Sequence, residues 1–318
     1  MARKDSNKNG NHTNAIGAAK TGYFARTARP VYALIFLLPV IVIYEILVLV
    51  VNPQLLSEPV NNIRGGVVAF VWIQNFLLYI GLDAKNSWLC APLVIIVILL
   101  LLQLTSRKQW KIIWSDFLVM ACECIAISLP LIVLAMVLNR PAQQRQPASF
   151  AANRIIVCSS RTQSKTPAPV PQANIPNHKT DNGKTVSNAD KLTHHSFLMD
   201  IITGIGAGIY EELIFRLVLI GLLMLFFETI LGIEKTKAIV ISVLVSAILF
   251  SLHHHFVFLN GRFAKAELLT MAPFIFRTIA GAYFAVVFAV RGFGVVAGAH
   301  IFYDIIATIL NVCLFNQY

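Results

Sequence analysis

Repeated apolar runs of about twenty residues restrict this chain more than any other feature. They fall near 31–52, 64–82, 91–105, 116–138, 197–230, 237–256, 267–290 and 294–315. Twenty helical residues rise about 30 Å, the thickness of a bilayer's hydrocarbon core. In that medium every backbone N–H and C=O must find its partner within the protein, and uninterrupted runs of this length do so as helices. The expected fold is all-α, a polytopic transmembrane helical bundle of about eight spans with its chemistry in the C-terminal four helices. At 57% hydrophobic and 13% charged residues, with a mean hydropathy of +0.71, the chain lies far from a soluble domain. Such domains carry about 25% charged residues.

Two of the runs are irregular. Residues 64–82 open on Gly65-Gly66 and are interrupted by Gln74 and Asn75, so this segment is either a weak span or a re-entrant or interfacial helix. Residues 197–230 are too long for one straight crossing, which predicts a bend or an interfacial first half near Gly204, Gly206 and Gly208. Those glycines lack the GxGxxG spacing and follow no strand, which excludes a phosphate loop. Gly204 and Gly208 form instead a small-xxx-small pair suited to close helix packing.

The chain divides into a basic cytosolic tail (1–30), N-terminal transmembrane helices (31–138), a polar linker (139–195) and a C-terminal core (196–318). The linker is rich in Pro, Gln, Asn, Ser and Thr and lacks the apolar residues to fold alone, so it reads as disordered, with only Arg154–Cys158 locally ordered. The net charge of +11 gathers in the tail and between spans. That is the pattern of topology signals and anionic lipid contact, and no nucleic-acid motif accompanies it. The first span reads as a retained anchor, since a cleaved signal would have a shorter core. The five cysteines are scattered thiols without metal-type spacing. The expected location is a multi-pass position in a membrane, the plasma (inner) membrane in a bacterium. Eight crossings would put Arg107-Lys108-Gln109-Trp110-Lys111 opposite the basic tail, against the positive-inside rule. If 64–82 does not cross, that loop joins the tail and everything after it inverts.

Charged residues inside such spans are costly, about 2.5–3.5 kcal/mol each on the mildest scale, and mark function by default. Glu211 and Glu212 are adjacent within apolar sequence, and Arg216 follows. Glu212 and Arg216 are i,i+4 neighbours that pair across one helical turn, while Glu211 is turned about 100° away and available. Phe250-Ser251-Leu252-His253-His254-His255 closes the sixth run; three consecutive histidines diverge, so at most two face the bundle. His300 and Asp304 are i,i+4 in the last run and share a face. Arg277 needs a carboxylate if buried, with Glu45, Glu123 or Glu267 as candidates. A glutamate base beside histidines suits activation of water. No HExxH, GxSxG or Ser/Lys arrangement occurs.

Glu211-Glu212-x-x-x-Arg216, Phe250-x-x-x-His254 and His300-x-x-x-Asp304 resemble, in order, the EExxxR, FxxxH and HxxxN/D motifs of the CPBP intramembrane proteases. This family holds CAAX-processing and bacteriocin-immunity (Abi) proteins related to the type II CAAX prenyl endopeptidase. The resemblance covers roughly residues 197–315. It implies an endopeptidase acting on membrane-associated, CAAX-type prenylated proteins or peptides, with Glu211 activating water beside His254. His300 and Asp304 would form a second pair, and Glu212 and Arg216 would support the first. Glu211, His254 and His300 are the residues that could hold Zn2+, although a metal-free glutamate mechanism fits the same inventory. Asp304 stands where the prenyl endopeptidase carries Asn, so it suits orienting His300 better than donating to an oxyanion. The rival readings are a non-catalytic scaffold or bacteriocin self-immunity protein on the same fold, and a polar relay through Glu45, Glu123, Glu211 and Arg277.

Overall fold

The computed structural model describes residues 22–51, 67–139, 183–259, 262–265 and 269–315. A short helix α1 (Tyr23–Thr27) leads into α2 (Pro30–Val51), whose proline occupies the first helical turn, where its missing N–H costs nothing. Then come α3 (Val68–Tyr79), α4 (Ala84–Thr105) and α5 (Ser115–Asn139). The helix α6 (Gly183–Glu212) continues through a π-helical segment (Leu213–Leu219), α7 (Ile220–Met224) and a second π-helical segment (Leu225–Ile230). It starts inside the stretch read as linker; residues 140–182, with Arg154–Cys158, lie outside the described residues. Last are α8 (Lys235–His253), a hairpin of β1 (Phe256–Leu259) and β2 (Arg262–Lys265), α9 (Met271–Arg291) and α10 (Phe293–Phe315). The fold is all-α as expected, with one short hairpin among the described residues, in which Phe256 lies opposite Lys265.

Among the described residues, seven helices are long and apolar enough to cross a membrane, and the protein is an integral multi-pass membrane protein. Their lipid-facing sides carry exposed side chains such as Val42, Ile43, Leu101, Val133 and Val290. The remaining run, 64–82, forms α3, whose twelve residues rise only about 18 Å. Hydrogen bonds decide the consequence. Arg29 Nη1 donates to the Gln109 carbonyl (3.2 Å), the Val31 N–H to Gln103 Oε1 (3.1 Å) and the Ile113 N–H to the Tyr32 hydroxyl (3.0 Å). The start of α2 and the α4–α5 loop therefore share one membrane face. With α2 leaving that face and α4 returning to it, α3 begins and ends on the far side. Arg107, Lys108 and Lys111 thus join the N-terminal segment, and the conflict with the positive-inside rule disappears.

The core is built by close approach of small residues. The long run does not break at its glycines; α6 stays helical through them because neighbours occupy the space. A Cβ at Gly208 would lie 2.5 Å from Ile301 Cγ1 and 2.7 Å from its backbone N, one at Gly204 2.7 Å from Asp304 Cβ, and one at Gly206 2.6 Å from the Tyr44 ring. The Gly204/Gly208 pair so presses α6 onto α10, as small-xxx-small pairs do. Between α9 and α10 the chain reverses at Gly292, whose φ of 81° favours glycine. Prolines 39, 92 and 130 stand inside helices, as membrane helices tolerate. Cys90, Cys122, Cys124 and Cys313 are free thiols; Cys158 lies outside the described residues.

Candidate active site

The contact of α6 with α10 carries Glu211 and Glu212 to His300. Glu212 is fully buried beside Arg216, with Oε2 3.0 Å from Nε. That contact is too far off line for a hydrogen bond, so it is an ion pair by proximity. Its other oxygen, Oε1, accepts from His300 Nδ1 at 2.7 Å. The expected i,i+4 pair is present, but Glu212 serves two partners. On the other side of the His300 ring, Nε2 lies 3.5 Å from Asp304 Oδ2. Each nitrogen of His300 therefore faces a carboxylate, and its ring stacks on Phe284 at 4.8 Å.

Arg216 lies in the π-helical segment that follows the two glutamates. Widened turns of this kind recur at functional sites. Its guanidinium sits 4.2 Å over the Phe250 ring and reaches the Gly281 carbonyl at 3.4 Å, while Nη1 has no hydrogen-bond partner among the described residues. Phe250, the aromatic residue of the second motif, thus braces the arginine through a cation–π contact. Its carbonyl accepts from Nδ1 of both His253 and His254, the latter at 2.9 Å. Because α8 ends at His253, the two imidazoles lie with centroids only 3.9 Å apart. Spending both Nδ1 protons on one carbonyl leaves each Nε2 as an acceptor.

Glu211 faces these histidines. Its Oε1 is 3.4 Å from His253 Nε2, an atom with no hydrogen-bond partner among the described residues. The ligand atoms of Glu211, His253 and His254 lie within 4.8 Å of one another. The motif spacing pointed to His254 alone; the structure adds His253 and brings it closest. Two acceptors this close, buried together, call for a shared proton or a cation. One carboxylate with two imidazoles, each second nitrogen bound to a carbonyl, also fits a zinc-type donor set. His300, expected as a third ligand, is outside the group of ligand atoms within that distance; its Nδ1 meets Glu212 and its Nε2 faces Asp304. Glu211 nevertheless lies within electrostatic reach of His300, as Asp304 does of both glutamates.

Two further residues escaped the motif reading. Trp72 of α3 packs against His253 at 6.0 Å and Phe215 at 6.1 Å between centroids, so the non-crossing helix forms a wall of the site. The sequence signal was a run opened by two glycines and interrupted by Gln74 and Asn75. Tyr210 donates to Glu45 Oε1 at 3.0 Å, which ties the residue before Glu211 to α2. Neither Glu45 nor Glu123 was needed by Arg277, which is half-buried within electrostatic reach of His254 and Tyr303. Glu123 belongs to Arg291, and Glu267 lies outside the described residues.

Residues 193–306 match the family model described as Type II CAAX prenyl endopeptidase Rce1-like. The match spans the π-helical segment, both histidine motifs and the hairpin between them. It ends before the last turns of α10 and leaves α1–α5 outside. No curated protein and no solved structure matches the chain.

Proposed function

We propose that this chain, placed in the CPBP/CAAX protease family by residues 193–306, is an intramembrane endopeptidase that hydrolyses a peptide bond in membrane-associated proteins or peptides. The family is a protease family, which supports the reaction class. The observation that carries the reading is the buried Glu211 carboxylate facing two imidazoles whose Nδ1 atoms are both engaged by the Phe250 carbonyl.

Glu211 acts as general base. It accepts a proton from a water held between its carboxylate and the Nε2 atoms of His253 and His254, and the water oxygen bonds to the scissile carbonyl carbon. His300, whose Nδ1 is held by Glu212, turns its Nε2 N–H from the 3.5 Å contact with Asp304 to the developing oxyanion, with the Arg216 charge behind it. Collapse of the tetrahedral intermediate breaks the C–N bond, and Glu211 returns its proton to the leaving amine. A zinc ion at Glu211, His253 and His254 would supply Lewis acidity toward the water and the carbonyl. The His300–Glu212 bond serves orientation in either case. CAAX-type prenylated proteins are the substrate class that the family description supports.

The test is cleavage of membrane-anchored, prenylated and unprenylated CAAX peptides by protein in liposomes. Glu211→Gln should retain the fold and lose cleavage; a fully active variant defeats the proposal. Retained cellular function with this variant would favour a non-catalytic scaffold or immunity role.

A further inference from the structure

A cleft of about 280 Å³ opens beside the basic membrane face, away from the site. Its walls come from α2, α4, the π-helical segment after Glu212, and the α9–α10 turn, with Arg29 and Pro30 at one end and Leu217 among its lining residues. Ala33 and Leu99 are buried within it, whereas Leu102 and Ala289 are exposed, so the opening faces sideways toward the surrounding lipid. Apart from Arg29 and the backbone, the lining is apolar.

The charge beside this cleft is of one sign. Arg29 donates to the Gln109 carbonyl, which holds the α4–α5 loop next to it, and Gln103 Nε2 donates to the Lys108 carbonyl at 2.9 Å. On that loop Arg107, Lys108 and Lys111 are exposed, along with Trp110 and Trp114. Asp116, the acid at the start of α5, is already engaged by Arg26 at 2.9 and 3.0 Å and by Tyr32. Exposed tryptophans mark the headgroup level of a bilayer, and basic pockets between transmembrane helices take anionic headgroups.

From the apolar cleft and the cationic rim we infer a binding site for one anionic phospholipid, with its phosphate at Arg29 and the 107–111 loop and the upper part of an acyl chain between α4 and α9. A volume just under the roughly 300 Å³ of small ligand pockets suits part of one chain and not a whole lipid. The bound chain lies against Leu217, the residue after Arg216, so it buttresses the π-helical segment that presents the site arginine.

The experiment uses the full chain in detergent, stripped of lipid and exposed to mixed phosphatidylglycerol and phosphatidylcholine vesicles, with retained lipid read by native mass spectrometry. The expected result is one phosphatidylglycerol retained in preference to phosphatidylcholine, a preference that weakens with salt. Lys108→Gln/Lys111→Gln and, separately, Arg29→Gln should lower retention roughly fivefold per removed charge. Ala289→Trp, which fills the cleft from an exposed position, should abolish retention with all four charges in place and with unchanged thermal unfolding. Equal retention of both lipids overturns the inference. So does undiminished phosphatidylglycerol in Ala289→Trp, which would mean that headgroups collect on the loop alone.

Discussion

Two of the ion-pair networks among the described residues are finished to different degrees. At the basic face, Arg291 donates to both oxygens of Glu123, at 2.7 Å to Oε2, and to the Thr27 hydroxyl and Phe24 carbonyl, while Tyr23 adds a second donor to Oε2. Its guanidinium also lies 4.3 Å over the Phe24 ring. In the core, Arg216 lies beside Glu212 off line for a hydrogen bond, its Nη1 has no hydrogen-bond partner among the described residues, and neither has His253 Nε2 in front of Glu211. A saturated network fixes geometry; an undersaturated one, here the more deeply buried of the two, keeps donors and acceptors for a further molecule. Buried polar groups cost the full desolvation penalty when unmet. Their concentration at Glu212, Arg216 and His253 is therefore the clearest mark of a site.

The sharpest way to break this contrast is Glu211→Gln. Loss of a general base should reduce cleavage by about 10²–10⁴-fold, with thermal unfolding in detergent within a degree or two, roughly 0.5 kcal/mol for a chain of this size. Glu123→Gln should do the reverse. Leaving Arg291 buried without its charge partner should destabilise by about 3–5 kcal/mol, read as a lowered unfolding temperature, while kcat of the folded fraction stays near wild type. A large kcat loss there would erase the distinction between the networks. Gly208→Ala tests the packing that joins α6 to α10. Overpacking at such a contact costs about 1–3 kcal/mol, and displacement of His300 from Glu212 should lower kcat as well as stability. Trp72→Phe should have the smallest effect, a change in KM or kcat of a few-fold with no shift in unfolding. An inert Trp72→Ala would remove α3 from the site.

Much of the site could be read along the chain because its spacing is helical. Glu212 and Arg216 meet at i,i+4, as do His300 and Asp304, and the Gly204/Gly208 pair needs only a partner helix to press against. Relations between helices were not readable in the same way. Glu212 takes His300 as well as Arg216 because α10 lies against α6. His253 comes closer to Glu211 than the motif histidine because α8 ends there and both rings turn onto one carbonyl. Glu123 pairs with Arg291 and not Arg277, since α9 brings its last turn to α1 and α5. The hairpin after α8 left no alternating apolar pattern by which to recognise it.

By itself the sequence determined the membrane setting, the helices and the four charged motif residues. Hydrocarbon admits little else than long apolar helices, and it makes every intramembrane charge conspicuous. Tertiary structure alone decided that α3 does not cross, which face carries the basic loop, and which histidines Glu211 meets. Those outcomes depend on which helix ends come together in space, and a periodicity of 3.6 residues carries no record of that.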